Sequence, residues 1–160
     1  MIDPKNEGNR TTDVPLIRRA DGGYRWDGVA CMPYKEEGAA PFKAISRQIL
    51  HARADLDAEL RYFEMQAGGY STLERHAHVH GVMILRGHGQ CLVGDTIYDV
   101  GPHDLITVPP MTWHQFRANR NGAMGFLCLV NAQRDKPQLP TESELAALKA
   151  NAKVAAFLAG

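Results

Sequence analysis

Short segments that alternate between apolar and polar residues fill the middle of the chain, with turn residues between them. Pairs such as Gly94-Asp95 and Pro109-Pro110 interrupt the alternation at regular intervals. A period of two is typical of half-buried strands, and Gly or Pro clusters mark the turns between them. The pattern predicts strands at 42–51, 59–66, 80–85, 90–93, 96–100, 105–108, 113–118 and 124–130. This spacing favours an all-β, antiparallel barrel or sandwich.

The two ends of the chain lack this rhythm. Residues 1–25 contain several prolines and glycines without sustained periodicity, and 36–41 (EEGAAP) is typical of a turn or loop. Near the other end, Thr141 and Glu144 have the spacing of a helix capping box, which predicts a helix over 142–158, broken near Asn151. We therefore expect an arm at 1–40 that packs on the barrel or on a partner, a barrel at 41–135, and a helical tail at 136–160.

Composition narrows the classes of partner and compartment. The 160 residues suggest one domain, and 18 basic residues balance 18 acidic ones, so neither nucleic acid nor an anionic membrane is indicated. No apolar run approaches the roughly 20 residues that span a bilayer. Cys31, Cys91 and Cys128 are odd in number and have no paired spacing. Such cysteines indicate reduced thiols in a cytoplasmic protein.

The stretch ERHAHVHGVMILRG carries the candidate chemistry. It places Glu74, His76, His78 and His80 at every second position. An extended strand would spread the first and last of these over roughly 20 Å, whereas a metal ion holds each donor atom at roughly 2 Å. The chain is therefore expected to bend at 77–79, with His80 opening the next strand. The candidate fourth ligand from a distant strand is His114.

These residues resemble the first motif of the cupins, G-x5-H-x-H-x3or4-E-x6-G. Counted back from Gly87, the family's Glu position holds His80, and its two His positions hold Glu74 and His76. A second register would place the H-x-H pair at His76 and His78 and use a later glycine. That register puts a non-ligand residue at the acid position and shortens the gap to the second motif, so the first register is preferred.

The second cupin motif, G-x5-P-x-G-x2-H-x3-N, matches Pro109 and His114. His103, Met111 and Ala118 replace its two glycines and its asparagine. The resemblance covers roughly residues 59–130. It implies a jelly-roll β-barrel with a metal held by Glu74, His76, His80 and His114.

A closer likeness is to small single-domain cupins that also have His at the acid position and often bind manganese through four histidines. The ending HxFR…FLCL of that subclass matches His114, Phe116, Arg117 and 126–129 here. By this likeness Phe126 lines the metal pocket and Cys128 lies nearby. Phe116 and Trp113 are further candidates for the pocket lining, although core packing is the plainer interpretation of both.

Three histidines and a carboxylate suit a divalent transition ion: manganese, iron, nickel, copper or zinc, with manganese or iron favoured by the resemblance. Open coordination positions and an apolar wall predict a small-molecule substrate. The first hypothesis is an oxidoreductase, a metal-dependent dioxygenase. The second is an isomerase or lyase in which Glu74 or His78 moves a proton, and the third is a non-catalytic ligand-binding module. The family commonly dimerises, so a homodimer is expected.

Overall fold

A computed structural model describes residues 10–35, 38 and 40–160 and confirms the all-β class. Within these residues the strands are β1 Met32–Pro33, β2 Lys43–Ala52, β3 Ala58–Tyr70, β4 His80–Arg86, β5 Gly89–Val93, β6 Thr96–Val100, β7 Leu105–Val108, β8 His114–Ala118 and β9 Met124–Asn131. Two helices follow, α1 Glu142–Lys149 and α2 Ala152–Ala159. The strands predicted from period-two alternation are therefore confirmed, with bounds that differ by a few residues at most.

All of the paired strands run antiparallel and form one curled sheet. Its order is β6-β5-β8-β3-β9-β4-β7, and β2 joins β3 on a side path with β1 beyond it. Because β3 pairs with β2, β8 and β9, it connects the two ends of the sheet. The curl gives the sheet an inner face, which carries the core, and an outer face.

Alternation along each strand decides which side chains reach the inner face. Phe63 of β3 stands opposite Phe126 of β9, and Phe126 stands opposite Ile84 of β4. All three are buried. Their neighbours on the inner face form the main apolar cluster, which includes Ile45, Met65, Val82, Cys91, Val108, Phe116, Met124, Cys128 and Val130.

The described part of the arm covers an outer surface of the sheet. Tyr24 stacks on Tyr62 with ring centroids 5.8 Å apart, and Trp26 contacts the same ring at 5.1 Å. Gln48 donates a hydrogen bond of 2.9 Å to the Tyr24 carbonyl. Tyr62 is thereby buried although it faces away from the barrel interior. Residues 1–9, 36, 37 and 39, which include parts of the predicted arm and of the predicted 36–41 loop, lie outside the described residues.

The helical tail divides at Asn151, as predicted. Thr141 and Glu144 form the capping box that starts α1, and the Asn151 side chain accepts from the backbone N–H of Lys153 at the start of α2. Val154 and Phe157 of α2 are buried in a second apolar cluster with Leu73, Leu92 and, partly buried, Trp113. None of the helices in the described residues is long and apolar enough to cross a membrane.

One strand runs further than its pattern indicates. The alternation predicts an end near residue 66, but β3 continues to Tyr70, which pairs with Lys43 and Arg117. Gly68 has φ +71°, and a Cβ at Gly69 would lie 2.9 Å from the carbonyl oxygen of Lys43. The two glycines thus let the strand bend and approach its neighbour closely, a use of glycine that resembles a turn signal in the sequence.

Candidate metal centre and pocket

Three of the predicted ligands come from separate places in the fold and meet on its inner side. His76 lies on the loop before β4, His80 begins β4, and His114 begins β8. The loop bends at 77 and 78, as predicted. Glu74 and His114 form an isolated antiparallel bridge in which each backbone N–H donates to the other's carbonyl, at 3.2 and 3.0 Å. This bridge fixes the loop beside β8 and brings the distant histidine to the cluster.

The three imidazoles are buried and close together. Ring centroids are 4.4 Å apart for His76 and His80, 4.8 Å for His76 and His114, and 5.5 Å for His80 and His114. Each side chain belongs to a residue that is less than a tenth exposed. Burying three imidazoles at this spacing is costly unless their ring nitrogens have partners.

Hydrogen bonds to the backbone select the ring nitrogen that is free. His76 Nδ1 donates to the His78 carbonyl at 2.8 Å, and His114 Nδ1 donates to the Thr112 carbonyl at 2.9 Å. A proton on Nδ1 leaves Nε2 with its lone pair. Among the described residues, the buried Nε2 atoms of His76 and His80 have no hydrogen-bond partner. Two unpaired imidazole nitrogens beside a third histidine are suitable ligands for a divalent transition ion.

Burial also keeps these rings neutral. It lowers the pKa of His76 and of His114 from the ordinary histidine value, and it lowers that of His80 strongly, with neighbouring histidines adding to the effect. A histidine must be neutral to bind a metal, because protonation removes the lone pair. The folded chain therefore presents these side chains in the ligating form at neutral pH.

Glu74, the predicted carboxylate ligand, is buried at the edge of the same cluster. Its carboxylate forms an ion pair with the Lys35 ammonium. One oxygen of this carboxylate also lies within 4.8 Å of a ring nitrogen of His76 and of a ring nitrogen of His114. These two nitrogens are within 4.8 Å of each other as well. The position is therefore compatible with an oxygen ligand, and Lys35 is a second partner that competes for the same carboxylate.

His78 lies in the bend and forms the other candidate group, with His76 and His80. Its ring stacks on His76 at a centroid distance of 3.6 Å. Its Nδ1 is 2.7 Å from Oδ1 of Asp135, whose other oxygen, Oδ2, accepts from the backbone N–H of Ala77. Burial lowers the pKa of His78 to about 4, despite the Asp135 carboxylate. His78 can thus serve as a further ligand or as a proton carrier, and Asp135 orients its ring.

A pocket opens beside the cluster and encloses about 320 Å³ of space continuous with solvent. Its apolar wall includes Phe116 and Phe126, as predicted, together with Phe63 and Tyr34; its polar lining is Ser71, Glu74, His80, His114 and Cys128. An apolar wall with a few polar groups at one end is a lining typical of sites for small molecules. Trp113, the other predicted lining residue, lies elsewhere: it belongs to the cluster under the helices, with the Arg75 guanidinium 4.4 Å from its ring. Trp113 is the last residue before β8 and lies outside the strand, so the alternation of the strand does not determine where its side chain points.

A buried thiol shares this pocket with the histidines. Cys128 Sγ lies 3.6 Å from His80 Nδ1 and 3.7 Å from Nη2 of Arg61, which donates to it. Burial raises the pKa of Cys128, and the Arg61 guanidinium opposes that rise. Cys31, in contrast, is exposed, and all three cysteines are free thiols. Cys128 is the cysteine positioned to meet a bound small molecule.

Several residues of the site carry no signal in the sequence. Tyr34 and Lys35 come from the segment after β1, and Asp135 comes from the loop after β9. None of the three belongs to a motif or to a strand with clear alternation. They reach the site through the curl of the sheet, so only tertiary structure identifies them. His88 and His103 are exposed in turns, as predicted.

A curled antiparallel sheet with a buried histidine cluster inside it defines the cupin class, and the comparisons agree. A family model described as a cupin domain matches residues 61–130. A cupin-2 conserved barrel domain protein from Rhodopseudomonas palustris superposes with a TM-score of 0.84 at 62% identity, covering 88% of this chain and 97% of that one. The chain belongs to the cupin superfamily.

Two comparisons with proteins from Rhodospirillum rubrum show similarity beyond the superfamily level. A cupin-2 domain from that organism has a TM-score of 0.82 at 55% identity, over 91% of this chain and 98% of its own. A protein named 1-methylthio-D-xylulose 5-phosphate methylsulfurylase is 59% identical over 150 residues, which cover 94% of this chain and 96% of that protein. These similarities extend over nearly the whole chain.

Proposed function

We propose that this protein is a metal-dependent methylsulfur transferase that cleaves the carbon–sulfur bond of 1-methylthio-D-xylulose 5-phosphate. The named relative is 59% identical over almost the full length of both chains. The observation that carries the proposal is a buried thiol, Cys128, in the same pocket as the histidine cluster. Removing a methylthio group requires an acceptor for sulfur, and this pocket contains one.

The proposed step balances as a thiol–disulfide type of exchange at sulfur. The Cys128 thiol loses its proton, which balances the proton later taken up by C1, and its sulfur attacks the methylthio sulfur while the bond between that sulfur and C1 breaks. Its electron pair remains on C1 as the enolate of the C2 ketone, and C1 then takes a proton to give the 1-deoxy ketose phosphate. The methylthio group becomes a mixed disulfide on Cys128, and a small-molecule thiol releases it as a methyl disulfide. The second thiol supplies the reducing electrons.

We assign metal binding, proton transfer and the apolar wall of the pocket to separate groups of residues. His76, His80 and His114 would hold a divalent ion, which when bound supplies a Lewis acid for the ketone oxygen. Glu74 and His78 are the groups beside it that can carry a proton. The rings of Phe63, Phe116 and Phe126 form an apolar wall, which lowers the polarity around the reacting carbon. Manganese or iron remains the prediction for the ion.

The sequence-based dioxygenase hypothesis uses the same ligands but needs oxygen. Methylsulfur transfer needs a thiol instead and proceeds without oxygen. Holoprotein purified without chelator is therefore incubated anaerobically with the methylthio substrate and 2-mercaptoethanol. We expect a new C1 methyl signal in the proton NMR spectrum and formation of the methyl mixed disulfide. No carbon–sulfur cleavage under these conditions, with cleavage only in air, would favour the dioxygenase.

The acceptor role of Cys128 is tested with a matched pair of variants. Cys128→Ser removes the proposed acceptor, and Cys31→Ser removes an exposed thiol. Loss of a covalent nucleophile is expected to lower the rate by about a thousandfold, whereas Cys31→Ser should match the wild type. Metal content and melting temperature are measured for both variants. Wild-type rates in Cys128→Ser with intact metal content would show that another thiol accepts the group.

A further inference from the structure

Two arginines occupy the inner face of the sheet beside the pocket. Arg47 of β2 stands opposite Phe63 of β3, which lines the pocket, and Arg61 of β3 stands opposite Cys128 of β9. Residues that stand directly opposite in an antiparallel pair point to the same face. Arg47 and Arg61 are therefore diagonal neighbours on the inner face, next to the thiol.

Contacts within this group tie the arginines to the pocket wall. The Arg61 guanidinium lies 5.0 Å from the centroid of the Phe63 ring, and its Nη2 donates to Cys128 Sγ at 3.7 Å. Burial and next the nearby Arg61 lower the pKa of Arg47, and the Glu59 carboxylate acts in the opposite direction. The Arg47 charge is therefore influenced by the same two groups, Arg61 and Glu59, that lie beside Cys128.

The carboxylate available to this group is already shared. Glu59 pairs with Arg10 at 3.5 Å, with Arg134 at 3.6 Å and with Arg61 at 3.9 Å. Among the residues that the structure describes, no carboxylate lies within ion-pair distance of Arg47. The Nε atoms of Arg47 and Arg61 are both buried without a hydrogen-bond acceptor, although Arg61 Nε is the atom that lies 3.9 Å from the Glu59 carboxylate.

Arg61 is buried and Arg47 is half-buried, and adjacent like charges whose Nε donors lack hydrogen-bond acceptors are unfavourable unless an anion joins them. A phosphate monoester is the anion whose geometry fits, because its oxygens accept the paired N–H groups of guanidinium in a bidentate manner. Two arginines on neighbouring strands also match the nearly double negative charge of a phosphate monoester at neutral pH.

We propose that Arg47 and Arg61 form the subsite that binds the phosphate group of the substrate. This proposal rests on the proposed function, since it assumes a phosphorylated sugar in the pocket beside the histidines. The phosphate at one end and the ion at the other would fix a short chain of carbons between them. Cys128, in contact with both Arg61 and His80, lies between these two anchor points. The sugar phosphate is thereby aligned with its methylthio sulfur toward the thiol.

Calorimetry on the metal-loaded protein tests the subsite without turnover. The probes are D-xylulose 5-phosphate and D-xylulose, which lack the methylthio group and differ from each other only in the phosphate. The variants are Arg47→Gln, Arg47→Lys and, as control, Arg53→Gln. Arg53 pairs with Asp55 on the exposed turn after β2, away from the pocket. Melting temperatures confirm that each variant folds.

We expect wild-type protein and Arg53→Gln to bind the phosphorylated sugar far more tightly than the free sugar. Arg47→Gln should weaken binding of the phosphate ester by about tenfold to a hundredfold and leave binding of free xylulose unchanged. Arg47→Lys keeps the charge but loses the paired donors, so its affinity for the phosphate ester should lie between that of the wild type and that of Arg47→Gln. Equal binding of the two sugars by wild-type protein, or an unchanged phosphate preference in Arg47→Gln, would overturn the subsite.

This outcome separates the subsite from the reaction. A phosphate preference that depends on Arg47, in a protein that transfers no methylsulfur group, upholds the subsite and refutes the proposed function. If the protein transfers the methylsulfur group, but its preference for the phosphorylated sugar is the same in the wild type and in Arg47→Gln, the proposed function is upheld and the subsite is refuted.

Discussion

His76 and His114 each donate a hydrogen bond from Nδ1–H to a nearby backbone carbonyl, which decides which ring nitrogen remains free. The sequence placed these histidines in a common site by motif spacing, and the structure brings them together with His80. It does not single out one further ligand, because Glu74 and His78 each belong to a candidate group. Their partners differ, because Glu74 forms an ion pair with Lys35 and the His78 ring contacts the Asp135 carboxylate.

At this scale we predict that metal binding depends on individual imidazoles. Elemental analysis of protein purified without chelator should find close to one divalent ion per chain in the wild type. His76→Ala and His114→Ala each remove a ligand and should retain less than about a tenth of that amount. His88→Ala, which changes an exposed turn histidine, should retain all of it. Full metal content in His76→Ala and His114→Ala would contradict the assigned site.

Strand ends and turns position the site, and glycines set how closely they approach. Gly87 directly follows β4 and has φ +72°, and a Cβ there would lie 1.9 Å from the Ala123 carbonyl oxygen. The motif glycine therefore permits the contact between the turn after β4 and the residue before β9. The sequence identified this position through the family motif, but the reason for it lies in a contact between segments far apart along the chain.

We predict that Gly87→Ala lowers the free energy of unfolding by at least about 2 kcal/mol, because a left-handed conformation and a backbone clash both oppose the added methyl group. Gly122→Ala is the matched control, since a Cβ there has nothing within 4 Å and the backbone conformation is not left-handed. Urea unfolding followed by circular dichroism measures both. Equal midpoints for the two variants would show that the turn can shift to accommodate the methyl group.

Across the whole molecule, the two faces of the sheet differ in what they expose. The inner face holds the pocket, while Met83, Leu105 and Leu129 are exposed apolar side chains on other parts of the sheet. Met83 stands opposite Leu105, so the two lie on the same face. The homodimer stays a prediction from the sequence and from the family resemblance.

Light scattering at micromolar concentration tests this prediction. The chain has a mass of 17.7 kDa, and we expect a particle of twice that value. The expectation follows because apolar strand surface and an extended arm commonly pair across a two-fold axis. A mass equal to one chain across the concentration range would contradict it.

The sequence alone determined the strand rhythm, the break in the helical tail and the motif histidines. Each of these depends on neighbours within a few residues: alternation defines a strand face, a capping box starts a helix, and a bend lets His76 and His80 turn toward one point. These local signals survive without knowledge of the fold. The cupin resemblance extended them to His114, because motif spacing records a contact that periodicity does not.

Only the tertiary structure decided the remaining features of the site. The contacts of Lys35 with Glu74, Asp135 with His78, and Arg61 with Cys128 join segments that are 39, 57 and 67 residues apart. The position of Arg47 beside the pocket follows from the register between β2 and β3. Such contacts arise where the curl of the sheet brings strands together, and no short-range pattern encodes that curl. The sequence therefore identified the candidate ligands, while the fold determined which residues orient them and which pocket lies beside them.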